Sequence, residues 1–399
     1  MTAAPGSEPT YSTPREDALR WVRRQLRVST EGRWTILLTI VLVSVSLGLS
    51  AILIASTGGS PVAALESLWT GSVANNNGWS ITLLSVAPLL LVAIGTCVCT
   101  AAGTFNIGQE GQVLIGGLAG ALVGLRAPFD GPLLVVAVLV AAAVGGGLWA
   151  GLSAVMHHYR NVNVAVSTLL MTFVAIQLVS FAVTNKSILQ EKGQGSSGIA
   201  GAISDPLPAD AQLRSFGEYP AIAFNLGLFI ALIAMVVVAL LLARSRWGLR
   251  LRTIGLNPFT AKHAGIRVGW MAGLALAISG AFAGLAGALL VASPVGTNRL
   301  QSGLADNVGW DGLLVALVAR QRPMLCLPVA VLFGALRAGG DFLASTGVPF
   351  FLVDVVKALL VLAFVAPPVI VDALTKRKRP TSVVAPLPVD VAPTERVSA

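Results

Sequence analysis

Charged residues are scarce in this sequence, at 11% of 399 residues, where a soluble domain carries about 25%. That shortage excludes an ordinary water-solvated globule. Histidine and cysteine are sparser still, with three of each. His157, His158 and His263 fall at loops without acidic partners, and Cys97, Cys99 and Cys326 fall in apolar stretches without ligand spacing. A metal centre or a membrane-embedded enzyme has little to be built from, and the cysteines read as small buried side chains. The phosphate-loop pattern Gly-x-x-x-x-Gly-Lys-Ser/Thr is also missing, so any ATP chemistry must sit on another polypeptide. Residues 1–33 have no apolar core ahead of a small-residue cleavage site, and no cleavable leader is expected.

What fills the chain instead is apolar, 55% of it, with a mean hydropathy of +0.80. Runs of roughly 20 such residues span a bilayer core as helix. Lipid offers no partner to backbone groups, so spans are helices or closed barrels, and the alternation of a barrel is absent. The expected fold is an all-α polytopic membrane protein of about ten transmembrane segments. These lie near 34–56, 80–102, 107–125, 132–156, 164–184, 221–243, 269–292, 309–320, 324–340 and 350–372. The eighth is too short to span alone and reads as a half-helix continued by the irregular stretch before it.

The net charge of +9 is not a nucleic-acid footprint, because Lys and Arg collect between and beside the apolar runs. With the N-terminus inside and ten segments, 20 of the 27 positives face inward, 5 face outward, and Arg337 and Lys357 fall inside segments. That is the positive-inside asymmetry. Three regions follow. A cytoplasmic tail at 1–33 holds a basic amphipathic helix over 15–27 that suits an anionic leaflet. A transmembrane region covers 34–372, and 373–399 is a Pro- and Val-rich tail expected to be disordered. The outer stretch 185–219 is long, polar and rich in Gly and Ser, which suits either a solvated loop or a docking surface for an external partner.

Two short motifs answer each other. Asn106-Ile107-Gly108-Gln109-Glu110-Gly111 and Asn307-Val308-Gly309-Trp310-Asp311-Gly312 both open an apolar helix. Segments 2–5 therefore match 7–10, and the single crossing between the blocks makes them an inverted repeat. The glycines mark a helix break. Asn106 and Asn307 are candidate caps, and Glu110 and Asp311 suit the positive end of a helix dipole. The same acids are candidates for the wall of a solute path, together with Asn106, Gln112 and Asn307. Arg337 with Asp341, and Asp354 with Lys357, are spaced to share helix faces. They form either structural ion pairs or a polar vestibule, since a lone intramembrane charge costs about 2.5–3.5 kcal/mol.

The loop at 244–268 carries the most local information. Asn257-Pro258 starts a short helix, Phe259, Thr260, Ala261, Lys262, His263 and Ala264 continue it, and Gly265 stops it. A short exposed helix of this kind is a peg for another protein, with Phe259 as its apolar anchor. Replacing Phe259 and Ala261 by Asp is expected to uncouple the peg without preventing insertion.

With that loop, the stretch Phe105 to Gln112 and the run Gly309-Trp310-Asp311-Gly312 with Val315-Ala316-Leu317, residues 80–370 resemble the permeases of bacterial ATP-binding-cassette importers for nucleosides and simple sugars. The similarity is greatest to the longer permease of the nucleoside group. The resemblance implies a type II importer-like permease in the bacterial inner membrane, both termini cytoplasmic. It also implies separate ATPase subunits that bind ATP and Mg, a second homologous permease (or a second copy), and an extracytoplasmic solute-binding lipoprotein. Asn257 to Gly265 would be the coupling helix. This sequence departs from the family at Val164, where an acid is usual, and at Thr172-Phe173, where Asn-Tyr is common. Both lie on segment five, a candidate pore wall. The competing reading is an ion-coupled secondary transporter, which shares inverted repeats but needs no peg.

Overall fold

The computed structural model describes residues 30–56, 58, 60–191, 202–217, 222–293 and 298–345, with 355, 356, 358, 359, 361–367, 370, 371 and 374 beyond. The amphipathic stretch 15–27, Asp354, Lys357 and the tail from 375 lie outside the described residues.

Twelve helices follow in order among the described residues. They are α1 (Thr30–Ser56), α2 (Pro61–Ser72), α3 (Asn76–Ala101), α4 (Gln109–Arg126), α5 (Pro132–Arg160) and α6 (Val164–Thr184). After a two-stranded ribbon, β1 (Ser215–Phe216) and β2 (Phe224–Asn225), come α7 (Leu226–Arg244), α8 (Arg246–Leu256) and α9 (Pro258–His263). The last are α10 (Val268–Val291), α11 (Val308–Val318) and α12 (Pro323–Ser345). Every described residue between 355 and 374 is helical. Seven of these helices are long and apolar enough to cross a membrane. The eighth expected segment is α11, only 11 residues long and entered from turns at 301–307, a half-helix.

Two helices were not expected, α2 and α8. α2 is too short and too polar to span, but Ser60 Oγ accepts from the Ala63 amide and Pro61 opens its first turn, a local start signal.

The repeat is visible in what packs on what. α10 lies against α3, α4 and α5, and α3 lies against α10, α11 and α12. Exchanging α3 with α10, α4 with α11 and α5 with α12 turns one of these two sets into the other, although α3 alone also packs on α7. Lipid gives helices no hydrophobic reason to associate, so close packing of small residues must do it. Gly280, Gly284 and Gly287 share one face of α10, and that face meets the backbone of α4 and α5. A Cβ on Gly284 would collide with the Ala142 carbonyl oxygen, and one on Gly287 with that of Val113.

The outer connection is only partly a loop. Leu189, Leu207, Ala211 and Leu213 are buried. The amide of Ser204 donates to Leu300 O at 2.9 Å, and that of Leu207 to Asn298 O at 2.8 Å. Arg299 pairs with Glu191 at 2.6 Å. The described part of 185–217 is therefore strapped onto the segment that leads into α11.

Candidate functional site

The two motifs meet where the inverted halves touch. Glu110, in the first turn of α4, accepts the Asn307 amide on Oε1 at 2.9 Å and the Gly309 amide on Oε2 at 2.7 Å. It thus satisfies two backbone donors at the start of α11, where the helix dipole favours an anion. Asn307 makes no side-chain cap of α11, whereas Asn106 Oδ1 accepts the Gly108 amide at 3.2 Å just ahead of α4. The cap of α11 is supplied across the repeat instead of within it.

Asn106 and Gln112 are buried in a closed network. Asn106 Nδ2 donates to Gln112 Oε1 at 2.8 Å and to Ser279 Oγ at 3.0 Å, and Gln112 Nε2 returns a bond to Asn106 Oδ1 at 3.0 Å. Gln109 Nε2 joins through Ser279 Oγ at 3.2 Å, and Thr96 Oγ1 donates to Gln109 Oε1 at 2.9 Å. Burial of polar groups is tolerated when each finds a partner, and such a set then fixes one arrangement. Neither Asn106 nor Gln112 borders a cavity. Sequence reading missed Ser279, although a polar residue inside an apolar span was the available signal.

Asn307, Asp311 and Arg337 do come together. They line a cavity of about 640 Å³ with Asp306, Trp310, Phe333 and Asp341. Arg337 reaches Asp311 at 3.3 Å and also pairs with Asp306, a residue the sequence did not single out. Arg337 and Asp341 share the face of α12 that borders the cavity, as their spacing predicts. The backbone at Asp306 and Asn307 is left-handed, with φ of 37° and 64°, so two non-glycine residues are held in a conformation that costs about 1–3 kcal/mol each. Segment five contributes no wall here. Thr172 packs on Gly111, and Phe173 is exposed on the outside of the bundle.

At the opposite end of α10, α9 has the expected form. Asn257 Oδ1 accepts the amides of Phe259 and Thr260 at 3.0 and 3.1 Å. Gly265, at φ 76°, turns the chain, and the Ile266 amide returns to Ala261 O. Phe259 is 77% exposed and Leu256 88% exposed, with Lys262 and His263 exposed beside them. Ala261 is fully buried. It anchors the peg from below, so the expected double change at Phe259 and Ala261 mixes a surface effect with a core one.

A bundle with half-helices meeting between inverted repeats, a polar cavity at their junction and an exposed peg describes a transport permease. Residues 79–365 match the family described as branched-chain amino acid transport system / permease component, and the chain belongs to that family. It is 30% identical over 336 residues to the guanosine ABC transporter permease protein NupP of Bacillus subtilis, covering 82% of this chain and 93% of that one. It is also 30% identical to a glucose ABC transporter permease protein of Haloferax volcanii, over 76% of this chain and 80% of the other. A nucleoside ABC transporter permease protein of Lactococcus lactis is 25% identical over 83% of this chain and 90% of its own length.

Proposed function

We propose that this chain is the membrane-spanning permease subunit of an ATP-binding-cassette importer for a nucleoside or simple sugar. Family membership over residues 79–365 is the observation that carries the reading, and the solute class follows the relatives named above. The chain does no chemistry itself; ATP and Mg belong to a separate ATPase subunit. The other partners are a second homologous permease, or a second copy of this one, and an extracytoplasmic solute-binding lipoprotein. Relatives of one organism occur as pairs of guanosine permeases, which supports a heterodimer. The membrane is the bacterial inner membrane, with both termini and the 244–268 loop in the cytoplasm, as the positive-inside count supports.

In this reading residues 257–265 are the coupling helix, with Phe259 and Leu256 entering a groove on the ATPase. Asn307, Asp311 and Arg337 border the solute path. Glu110, Asn106 and Gln112 hold the helix ends that frame it. Solute uptake into vesicles carrying the full complex tests the whole proposal. Uptake that needs ATP and survives collapse of ion gradients is expected; uptake that follows the ion gradient and ignores ATP would establish a secondary transporter instead.

A further inference from the structure

α3 carries Pro88 near its middle. Proline has no amide hydrogen, so the carbonyl of Leu84 loses its usual helical donor and the helix opens there. A second cavity, of about 180 Å³, lies beside that opening. Leu84, Ser85 and Pro88 bound it on α3, Asn225 just before α7 and Ser293 just after α10 bound it too, and Arg337 closes it. Arg337 lines the larger cavity as well, so its side chain stands at the wall between the two.

Asn225 is 3% exposed, and its Oδ1 has no hydrogen-bond partner. Its Nδ2 reaches Ser293 Oγ at 3.5 Å. Although it precedes α7, its side chain makes no capping bond there. One end of the amide is therefore unanswered, and exchanging its oxygen and nitrogen would only move the deficit to the other end. A buried amide in that state is completed by water or by a ligand.

The chemistry of that ligand is constrained from several sides. The volume, about 180 Å³, has room for one sugar ring. A phosphate oxygen only accepts, and would leave the amide oxygen unanswered. A hydroxyl both donates and accepts, so it satisfies the Asn225 amide in either orientation, with the Arg337 guanidinium within the same lining. No carboxylate lines this cavity. We propose that it is a subsite for the polyhydroxylated ring of the solute, with Asn225, Ser293 and Arg337 as its contacts. Trp310 and Phe333, in the larger cavity, then face the aromatic base that a nucleoside carries. The inference rests on the importer reading and adds to it where in the permease the sugar is held.

The test uses the complete importer in proteoliposomes, with labelled guanosine, its 2′-, 3′- and 5′-deoxy analogues, and glucose as probes. If the wild-type complex takes up neither guanosine nor glucose, the nucleoside or sugar assignment fails before this subsite is examined. If it does, Asn225→Ala is expected to lower uptake of the parent sugar about fivefold to tenfold, the worth of one hydrogen bond. At least one ratio of guanosine to deoxyguanosine uptake should also collapse toward one in Asn225→Ala, and in part in Ser293→Ala. Such a ratio does not depend on how much of each variant folds. Wild-type ratios in both variants would overturn the subsite and leave a structural water as the partner of Asn225.

Discussion

Changing Glu110 to Gln separates a structural acid from a solute-facing one. The side chain keeps its size and one carbonyl oxygen, but the other oxygen becomes an NH2 that points at a backbone N–H. One of the two bonds to Asn307 and Gly309 is lost, and charge assistance leaves the other. A hydrogen bond to a charged group contributes about 1.5–3 kcal/mol, and the favourable position at a partly buried helix start adds about 0.3–2 kcal/mol. Glu110→Gln should therefore destabilise the permease by roughly 2–5 kcal/mol on those figures. Asp311→Asn should do less, about 1 kcal/mol or below, because its carboxylate is 27% exposed and Arg337 keeps Asp306. Thermal unfolding of the purified complex in lipid nanodiscs reads the first quantity. Uptake per folded complex, measured alongside, should stay within about twofold of wild type for Glu110→Gln. A variant that melts like wild type but transports poorly per folded complex would refute the capping argument and place Glu110 on the solute path.

Three further outcomes follow from the same geometry. Gly284→Leu should prevent accumulation of folded protein, since even a Cβ there meets the Ala142 backbone; folded yield by fluorescence-detected size exclusion checks it. Phe259→Asp should abolish stimulation of the ATPase by the permease with little change in melting temperature, because the ring is exposed, whereas Ala261→Asp should lower the melting temperature first. All three native cysteines are buried, so the chain is a clean background for labelling. Asp210→Cys should react with an impermeant maleimide on intact cells and Lys262→Cys only after permeabilisation; the reverse pattern would invert the proposed orientation.

The parts of the molecule legible in the sequence are those whose causes are local. Lipid forces every spanning run into helix, so seven of the ten expected segments are helices long and apolar enough to cross, where hydropathy puts them. α9 is written within nine residues, from the Asn257 cap to the left-handed Gly265, and nothing distant intervenes. The cap of α11 was not legible, because its acceptor is a side chain 197 positions away and its donors are backbone amides that any residue supplies. The Asn106–Ser279 contact spans 173 positions and leaves no periodicity behind. Polar, Gly- and Ser-rich composition left 185–219 open between a solvated loop and a docking surface, and the bonds that hold its described part to residues 298–300 are not recorded in composition.

The repeat is nearly symmetric in backbone and not in chemistry, and the difference falls at a few positions. Glu110 crosses to the amides that open α11. In the second copy the acid is Asp311, one methylene shorter. The Gly108 amide is answered at home instead, by Asn106 Oδ1 at 3.2 Å. Asp311 turns to Arg337, for which the first repeat shows no counterpart among the residues around Glu110. Gln109 and Gln112 of the first copy, which seal Asn106 and Ser279 into a dry network, are replaced by Trp310 and Leu313 in the second. Leu313 has no group to bond Asn307, whose side chain borders the cavity instead. One repeat thus became a fixed frame of satisfied hydrogen bonds. The other kept a half-helix with a strained entry, an arginine between two acids and an aromatic ring facing open volume. Groups that can change partners thus gather in the second repeat, around the cavity.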